Sequence, residues 1–254
     1  MRAKGGEQDW FVQAFDDQYP SLYAHRDLAE ARAILERLFP LAALEGGRLL
    51  DLGCGEGRFL QALAGRRVVS IGLDLSAPLL RRARSRTPSI PLARADMRSL
   101  PFRPGSFRWV LLMFTTFGYF AEDGENLQVI KGIAEILEPG GTLLLDTINA
   151  AYVRKNLIPR SVRLAGNREI REKRWIDPAG PYLWKESEVL AGEEEPARVS
   201  RERLRLYETE EIDAMLSRSG MRVEQRLGDY DAGRFDPERS PRLIVLARLE
   251  GGRP

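Results

Sequence analysis

Apolar positions along this chain alternate between short unbroken runs and stretches with helical spacing. Residues 48–52, 68–74 and 107–114 are rich in consecutive apolar side chains, the pattern of strands buried on both faces of a parallel sheet. Before them, Leu28, Ala31, Ile34, Leu35 and Leu38 recur at helical spacing behind Asp27, a ready N-cap, and Pro40 with Gly46 and Gly47 predicts the end of that helix. A second helix is expected over 58–64, and a third begins at Ser76 and Pro78 and runs through Leu79, Leu80 and Ala83. Another strand, 92–95, ends at Asp96-Met97, a helix over about 122–137 follows the 107–114 strand, and Pro139-Gly140-Gly141 turns the chain into a strand at 142–148. Strict alternation of strand and helix predicts an α/β fold with a parallel, doubly wound sheet.

After Asn149 this rhythm breaks. Segments with two-residue alternation appear at 162–176, 182–190 and 197–206, and turns are expected at Pro178-Ala179-Gly180-Pro181 and over 193–196. They predict a small antiparallel β subdomain over 149–207 inserted into a parent domain formed by 27–148 and 208–250. The parent pattern resumes with a helix over 209–219, stopped by Gly220, and strands over 221–227 and 242–249. The first ten residues and the last four are expected to fray.

The chemistry concentrates in Leu49-Leu50-Asp51-Leu52-Gly53-Cys54-Gly55-Glu56-Gly57-Arg58-Phe59, a strand running into a glycine turn and a helix. Alternating glycines permit a turn tight enough for a ligand to lie against the peptide groups. Asp74 closes the next strand seventeen positions after Gly57, where a carboxylate grips a ribose diol in a Rossmann-type sheet. A dinucleotide site needs a third glycine at the helix start for its pyrophosphate, and that position is Arg58. S-adenosylmethionine (SAM) carries no phosphate, and the Asp51 carboxylate suits its ammonium end.

These residues, with Leu73-Asp74, Ala95-Asp96-Met97, Thr115-Thr116-Phe117-Gly118-Tyr119-Phe120, the segment 138–146, Arg205-Leu206-Tyr207 and Arg242-Leu243-Ile244-Val245, resemble the class I SAM-dependent methyltransferases. The likeness is to a subgroup with an F-G-Y-F loop after the fourth strand and an antiparallel insert before the R-L-Y segment. The resemblance implies a Rossmann-like sheet of seven strands, the last antiparallel, and SAM as cofactor. It implies that Asp51, Gly53, Gly55 and Gly57 frame the methionine part, with Cys54 a cofactor-binding residue of the same turn, that Asp74 takes the ribose hydroxyls and that Leu75 lies against the adenine. Asp96 and Met97 would meet the adenine edge, and Phe114 would border the sulfonium. Tyr19, Tyr23 and Arg26 resemble a segment, residues 1–26, that closes over the cofactor; Arg26 or Arg58 would pair with the SAM carboxylate. The better-understood relatives methylate amines of small molecules or peptides.

Read from the residues alone, Phe117 and Tyr119 are either acceptor contacts or core packing. His25, the only histidine, is a general-base candidate or an ordinary surface residue. Arg205 and Tyr207, with Trp175, Trp184 and Arg203, would make the insert a substrate lid, or else pair with Glu186, Glu188 and Glu202. An amine acceptor that binds neutral needs no strong base, so the lack of an acid–base dyad fits N-methylation without excluding O-methylation.

Composition narrows the field. The net charge is +2, with arginines scattered among acids, so the electrostatic footprint of nucleic-acid binding is missing. One cysteine excludes an internal disulfide, and one histidine cannot support an imidazole metal site; no metal is expected. No apolar run reaches the roughly 18 residues that span a membrane, and no signal-peptide core is evident, so a cytoplasmic enzyme is expected. The expected partner is a small-molecule or peptide substrate, not nucleic acid or membrane. A methyltransferase of nucleic acid or protein, or a non-catalytic SAM-binding protein, is the alternative.

Overall fold

Buried parallel strands must be covered by helices on both faces, and the computed structural model, which describes residues 10–17, 19–23, 26–42, 46–166, 168–190 and 198–251, has this layout. Its main sheet contains β1 (Arg48–Leu52), β2 (Val69–Asp74), β3 (Leu92–Arg94), β4 (Phe107–Leu112), β5 (Leu137–Ile148), β10 (Met221–Leu227) and β11 (Arg242–Leu249). The order is β10-β11-β5-β4-β1-β2-β3. β1 pairs in parallel with β2 and β4, and β11 runs antiparallel to both β5 and β10. The chain leaves β1 toward β3 and returns on the other side as β4. That reversal opens a crevice at the carboxyl ends of β1 and β4.

Alternate residues of each strand feed two cores. Leu50, Leu52, Val110, Leu112, Leu143 and Leu145 pack with Val129, Ile130 and Ile133 of α6 (Asp123–Ile136) and Leu216 of α8 (Thr209–Ser217). Leu49, Leu111, Leu144 and Ile244 pack on the opposite face with Ile34, Leu35 and Leu38 of α3 (Leu28–Ala42) and Phe59 of α4 (Arg58–Leu63). Ser76 caps α5 (Ala77–Arg86), its hydroxyl accepting from the Leu79 amide at 3.3 Å.

The inserted sheet is antiparallel, with order β6-β7-β8-β9: β6 (Arg160–Ala165), β7 (Arg168–Ile176), β8 (Tyr182–Leu190) and β9 (Arg198–Arg205). One face meets the N-terminal helices α1 (Trp10–Ala14) and α2 (Tyr19–Leu22), where Leu22 packs against Ile170 and Val189. Trp175, Trp184 and Arg203 form one register row on the opposite face, the two indoles stacked at 6.1 Å.

Several expectations are corrected. The segment 162–176 is two strands, because Gly166 turns the chain with φ +63°. Pro40 does not stop α3, which runs to Ala42. The 107–114 strand ends at Leu112, since Phe114 and Thr115 take left-handed backbone. β5 begins at Leu137, and its register to β4 jumps from Phe107↔Leu137 to Trp109↔Thr142, leaving Pro139-Gly140-Gly141 as an excursion within the pairing. A further helix, α7 (Ala150–Asn156), opens the insert, capped by the Asn149 side chain accepting from the Ala151 amide at 3.2 Å. Trp10 does not fray but is buried in α1; the rest of the N-terminal stretch, the 193–196 turn and residues 252–254 lie outside the described residues. Among the described residues no helix is long and apolar enough to cross a membrane.

Candidate functional site

The crevice is lined by Asp51, Gly53, Cys54, Gly55 and Arg58 from the first turn, Asp74 and Leu75 after β2, Asp96 and Met97 after β3, and Phe114, Thr116 and Tyr119 after β4. Phe15, Tyr19, Tyr23 and Arg26 close it from the N-terminal segment. Gly53 sits at φ +75°, and a Cβ there would lie 2.4 Å from Cγ2 of Thr116, so only glycine lets the two loops touch. Over Gly55 a Cβ would meet nothing within 4 Å, which leaves the peptide open to a ligand.

Asp74 is held by two amides: Gly55 donates to Oδ2 at 2.8 Å and Ser76 to Oδ1 at 2.7 Å. Burial raises its pKa, and these amides pull the other way. Asp51 is only 3% exposed, and its Oδ2 has no hydrogen-bond partner. Burial, then the nearby Asp74 charge, pushes its pKa up to about 7, with Arg58 opposing. A buried, orphaned carboxylate oxygen facing a cleft awaits a cation or donor. Cys54 is a buried free thiol whose pKa burial raises further, so it packs and does not react. Burial works against charge on Asp96, but Arg98 clasps both its oxygens, Nη2 donating to Oδ2 at 2.6 Å, and the pKa falls.

The aromatic wall is continuous. Phe15 meets Tyr19 at 4.7 Å and Tyr119 at 5.6 Å, and Tyr19 meets Tyr23 at 4.9 Å. Burial, foremost, holds the Tyr19, Tyr23 and Tyr119 hydroxyls well above the usual phenol range, and Glu202 adds to it in all three. Tyr23 donates to Glu202 on β9 at 2.9 Å, and Lys185 of β8 donates to both. The segment is also pinned to the main domain, with Ser76 Oγ donating to the Phe15 carbonyl at 2.6 Å. Arg26 stacks over Tyr23 at 4.6 Å and Phe114 at 5.2 Å; among the described residues no carboxylate pairs with it. Arg58 instead is paired with Glu30 at 2.7 Å and lies over Phe114 at 4.7 Å.

Gly57 does not line the crevice; it starts α4 with φ +79°. Phe117, Arg205 and Tyr207 also lie away from it, which corrects their expected catalytic role. Phe117 is in the core against Tyr207, ring centroids 5.4 Å apart. Tyr207 donates to Asp123 at 2.7 Å, and Arg205 bonds Asp123, Glu211 and the Leu206 carbonyl. Trp175, Trp184 and Arg203 face away from the Tyr23 contacts, while Glu202 and Lys185 occupy the face that meets the cleft wall. His25 lies outside the described residues. Glu202, Lys185 and Arg98 were not among the expected site residues, nor were Asp146, Tyr230 and Arg242, which meet behind Phe114. A lone carboxylate ending an apolar run, Leu143-Leu144-Leu145-Asp146, was the available signal. Among the described residues no cluster of His, Cys, Asp and Glu suits a metal ion.

Comparisons with known proteins agree with this geometry. The family model described as a methyltransferase domain matches residues 49–141. The cypemycin N-terminal methyltransferase of a Streptomyces species is 30% identical over 212 residues, covering 81% of this chain and 84% of that protein. A dTDP-3-amino-3,4,6-trideoxy-alpha-D-glucopyranose N,N-dimethyltransferase of Streptomyces venezuelae is 34% identical over 133 residues, 51% of this chain and 55% of that one. The chain thus spans about half the length of the curated sugar dimethyltransferases it matches. Among solved structures, the CcbJ methyltransferase of Streptomyces caelestis aligns with TM-score 0.79 at 24% identity, over 93% of this chain and 98% of that one. A SAM-bound amino pentose methyltransferase from Micromonospora echinaspora aligns with TM-score 0.71 at 24% identity, over 91% and 96%.

Proposed function

The chain belongs to the class I SAM-dependent methyltransferases, and from that premise we propose that it methylates an amine nitrogen of a small molecule or peptide by in-line displacement. The observation that carries this reading is the acceptor-side wall. It is aromatic, and among the described residues its three tyrosine hydroxyls are held protonated by burial, so none of them is poised to act as a base at neutral pH. Such a wall serves a nucleophile that arrives with its own lone pair. Relatives named for amino-sugar and peptide N-terminal methylation support it.

The residues present fit the cofactor. Asp51, with its unpartnered buried oxygen, would take the ammonium, and Arg26, free of carboxylate partners among the described residues, would take the carboxylate. Arg58 is committed to Glu30, so it orients Phe114 and not the ligand. Asp74 would receive the ribose hydroxyls, Leu75, Asp96 and Met97 would border the adenine, and Phe114 would cover the reactive end. When bound, SAM would supply an electrophilic methyl on a sulfonium, which the amine nitrogen would take as a new C–N bond while the C–S pair stays with sulfur, the product ammonium then giving its proton to water.

The protein's own contribution is alignment and exclusion of water, worth several kcal/mol when reacting atoms are held about 3–3.5 Å apart. The rings of Tyr19, Tyr119 and Phe114 would favour positive charge by cation–π attraction, about 0.5–2 kcal/mol. In this reading Phe15, Tyr19, Tyr23 and Arg26 of the N-terminal segment close the cofactor site, and the insert bounds the acceptor side through Glu202 and Lys185. The test is incubation with SAM and a panel of nucleotide amino sugars, free amino sugars and N-terminal peptides, scored by the mass gain of one methyl. N-methylated product supports the reading; turnover confined to hydroxyl or nucleic-acid acceptors overturns it.

A further inference from the structure

Two residues that are not glycine hold left-handed backbone just after β4: Phe114 at φ +55° and Thr115 at φ +63°. A bulky ring and a β-branched side chain adopt this region rarely, so the surroundings must impose it. Both amides end on one residue. The Phe114 N–H donates to Oδ2 of Asp146 at 2.8 Å, and the Thr115 N–H donates to the Asp146 carbonyl at 3.0 Å.

Asp146 is completely buried, and its carboxylate is saturated. Tyr230 donates to Oδ2 at 2.6 Å, while Arg242 donates to Oδ1 through Nε at 2.8 Å and Nη2 at 2.5 Å. The same Nη2 reaches Oγ1 of Thr115 at 3.0 Å. Burial opposes charge on Arg242, but Asp146 more than compensates and its pKa is raised. Tyr230 also packs its ring on Phe114, centroids 5.4 Å apart. One residue further on, Thr116 lies in the place a side chain at Gly53 would occupy. The left-handed turn therefore sets two parts of the crevice together: the Phe114 ring and the Thr116 contact with the glycine turn.

We propose that Asp146, with Arg242 and Tyr230 as its counter-groups, is a positioning unit that holds the Phe114–Thr116 turn left-handed and so shapes the wall against which SAM binds. None of the three lines the crevice, so they act through Phe114 and Thr116. The inference rests on the cofactor of the family and not on the nature of the acceptor.

The test is SAM affinity by calorimetry on the full chain, with thermal melting alongside, and needs no acceptor. Asp146→Asn, which removes the charge at constant shape, should weaken SAM binding at least about tenfold, the scale of hydrogen bonds to a charged group. Adding Thr115→Gly to that variant should restore affinity about threefold or more, because glycine takes left-handed backbone without outside help. A purely structural carboxylate would lower the melting temperature and show no such rescue. Unchanged affinity in Asp146→Asn, or a loss that Thr115→Gly leaves untouched, overturns the proposal. Should Asp146→Asn not fold, Tyr230→Phe carries the test, with a loss of about two- to fivefold expected for one missing hydrogen bond and unchanged affinity overturning it. Failure here leaves the amine reading standing, and the reverse holds too.

Discussion

Arg205→Ala separates a structural insert junction from an acceptor contact. The Arg205 side chain is 8% exposed and makes three kinds of bond: to Glu211 at 2.6 Å, to Asp123 at 3.1 Å and to the Leu206 carbonyl at 2.5 Å. Its guanidinium also lies over the Tyr207 ring at 4.4 Å. Removing one member of a buried ion pair costs about 3–5 kcal/mol when the other charge stays buried. Here the side chains left behind, Asp123 and Glu211, are 60% and 41% exposed and regain water. What is lost is the bond to the Leu206 carbonyl, part of the charge-assisted bonds and the packing of the stem, so the expected cost is about 2 kcal/mol.

In a domain of this size that lowers the melting temperature by about 4–8 °C. SAM affinity should stay within about twofold, because no Arg205 atom faces the crevice. The pH dependence has a defined sign. Burial alone would raise the Asp123 pKa, but the Arg205 and Tyr207 bonds lower it. This stabilisation is therefore present above the ordinary carboxylate range, near 3.9, and is lost as pH falls through the folded value. Arg205→Ala should narrow the stability gap to wild type in acid. Loss of SAM affinity or turnover beyond about tenfold, with an unchanged melting temperature, would refute this reasoning.

Asp74→Ala should weaken SAM binding by about 1.5–3 kcal/mol, the range for bonds to a charged partner; unaltered calorimetric affinity would mean the ribose is held elsewhere. With Asp51 raised to about 7, SAM affinity should climb between pH 6 and 8 as the carboxylate ionises against the ammonium, and Asp51→Asn should flatten that climb. The same shift makes the ligand-free protein lose stability as pH rises toward 7, since the raised folded pKa favours the protonated form below it. Tyr19→Phe should leave the shape of the pH–rate profile intact, because burial keeps that hydroxyl protonated; a displaced limb would make it a base. Gly53→Ala should abolish tight SAM binding, as its Cβ would meet Thr116 Cγ2 at 2.4 Å, and Thr116→Ser should recover part of it.

The parent sheet was legible because its signals are local. Apolar runs such as Trp109 to Leu112 and Leu143 to Leu145 are buried on both faces, so they announce strands without reference to the rest of the chain. The elements that escaped are those whose conformation comes from elsewhere. Phe114 and Thr115 read as the tail of an apolar strand, yet a carboxylate over thirty positions later bends them left-handed. The 162–176 stretch alternates continuously through Gly166, and only pairing of its two halves reveals the hairpin.

The two halves of the crevice differ in the same way. The half proposed to hold the cofactor is built from residues at strand ends, Asp51, Asp74 and Asp96, which the topology delivers to one edge once the strands are placed. The half proposed to meet the acceptor depends on which face of the insert turns inward. Alternation names the two sets, Trp175, Trp184 and Arg203 against Lys185 and Glu202, but does not say which meets the cleft. That choice is made by packing of Leu22 on Ile170 and Val189 and by the Tyr23 bond to Glu202, a contact spanning 179 positions. The inward pair is charged and the outward row carries both indoles, the reverse of what hydrophobicity suggests. The N-terminal segment explains the inversion: its own tyrosines supply the apolar wall, and their hydroxyls need polar partners behind them. Substrate selectivity in this chain is therefore expected to change with residues 185 and 202, through Tyr23, before it changes with the indoles.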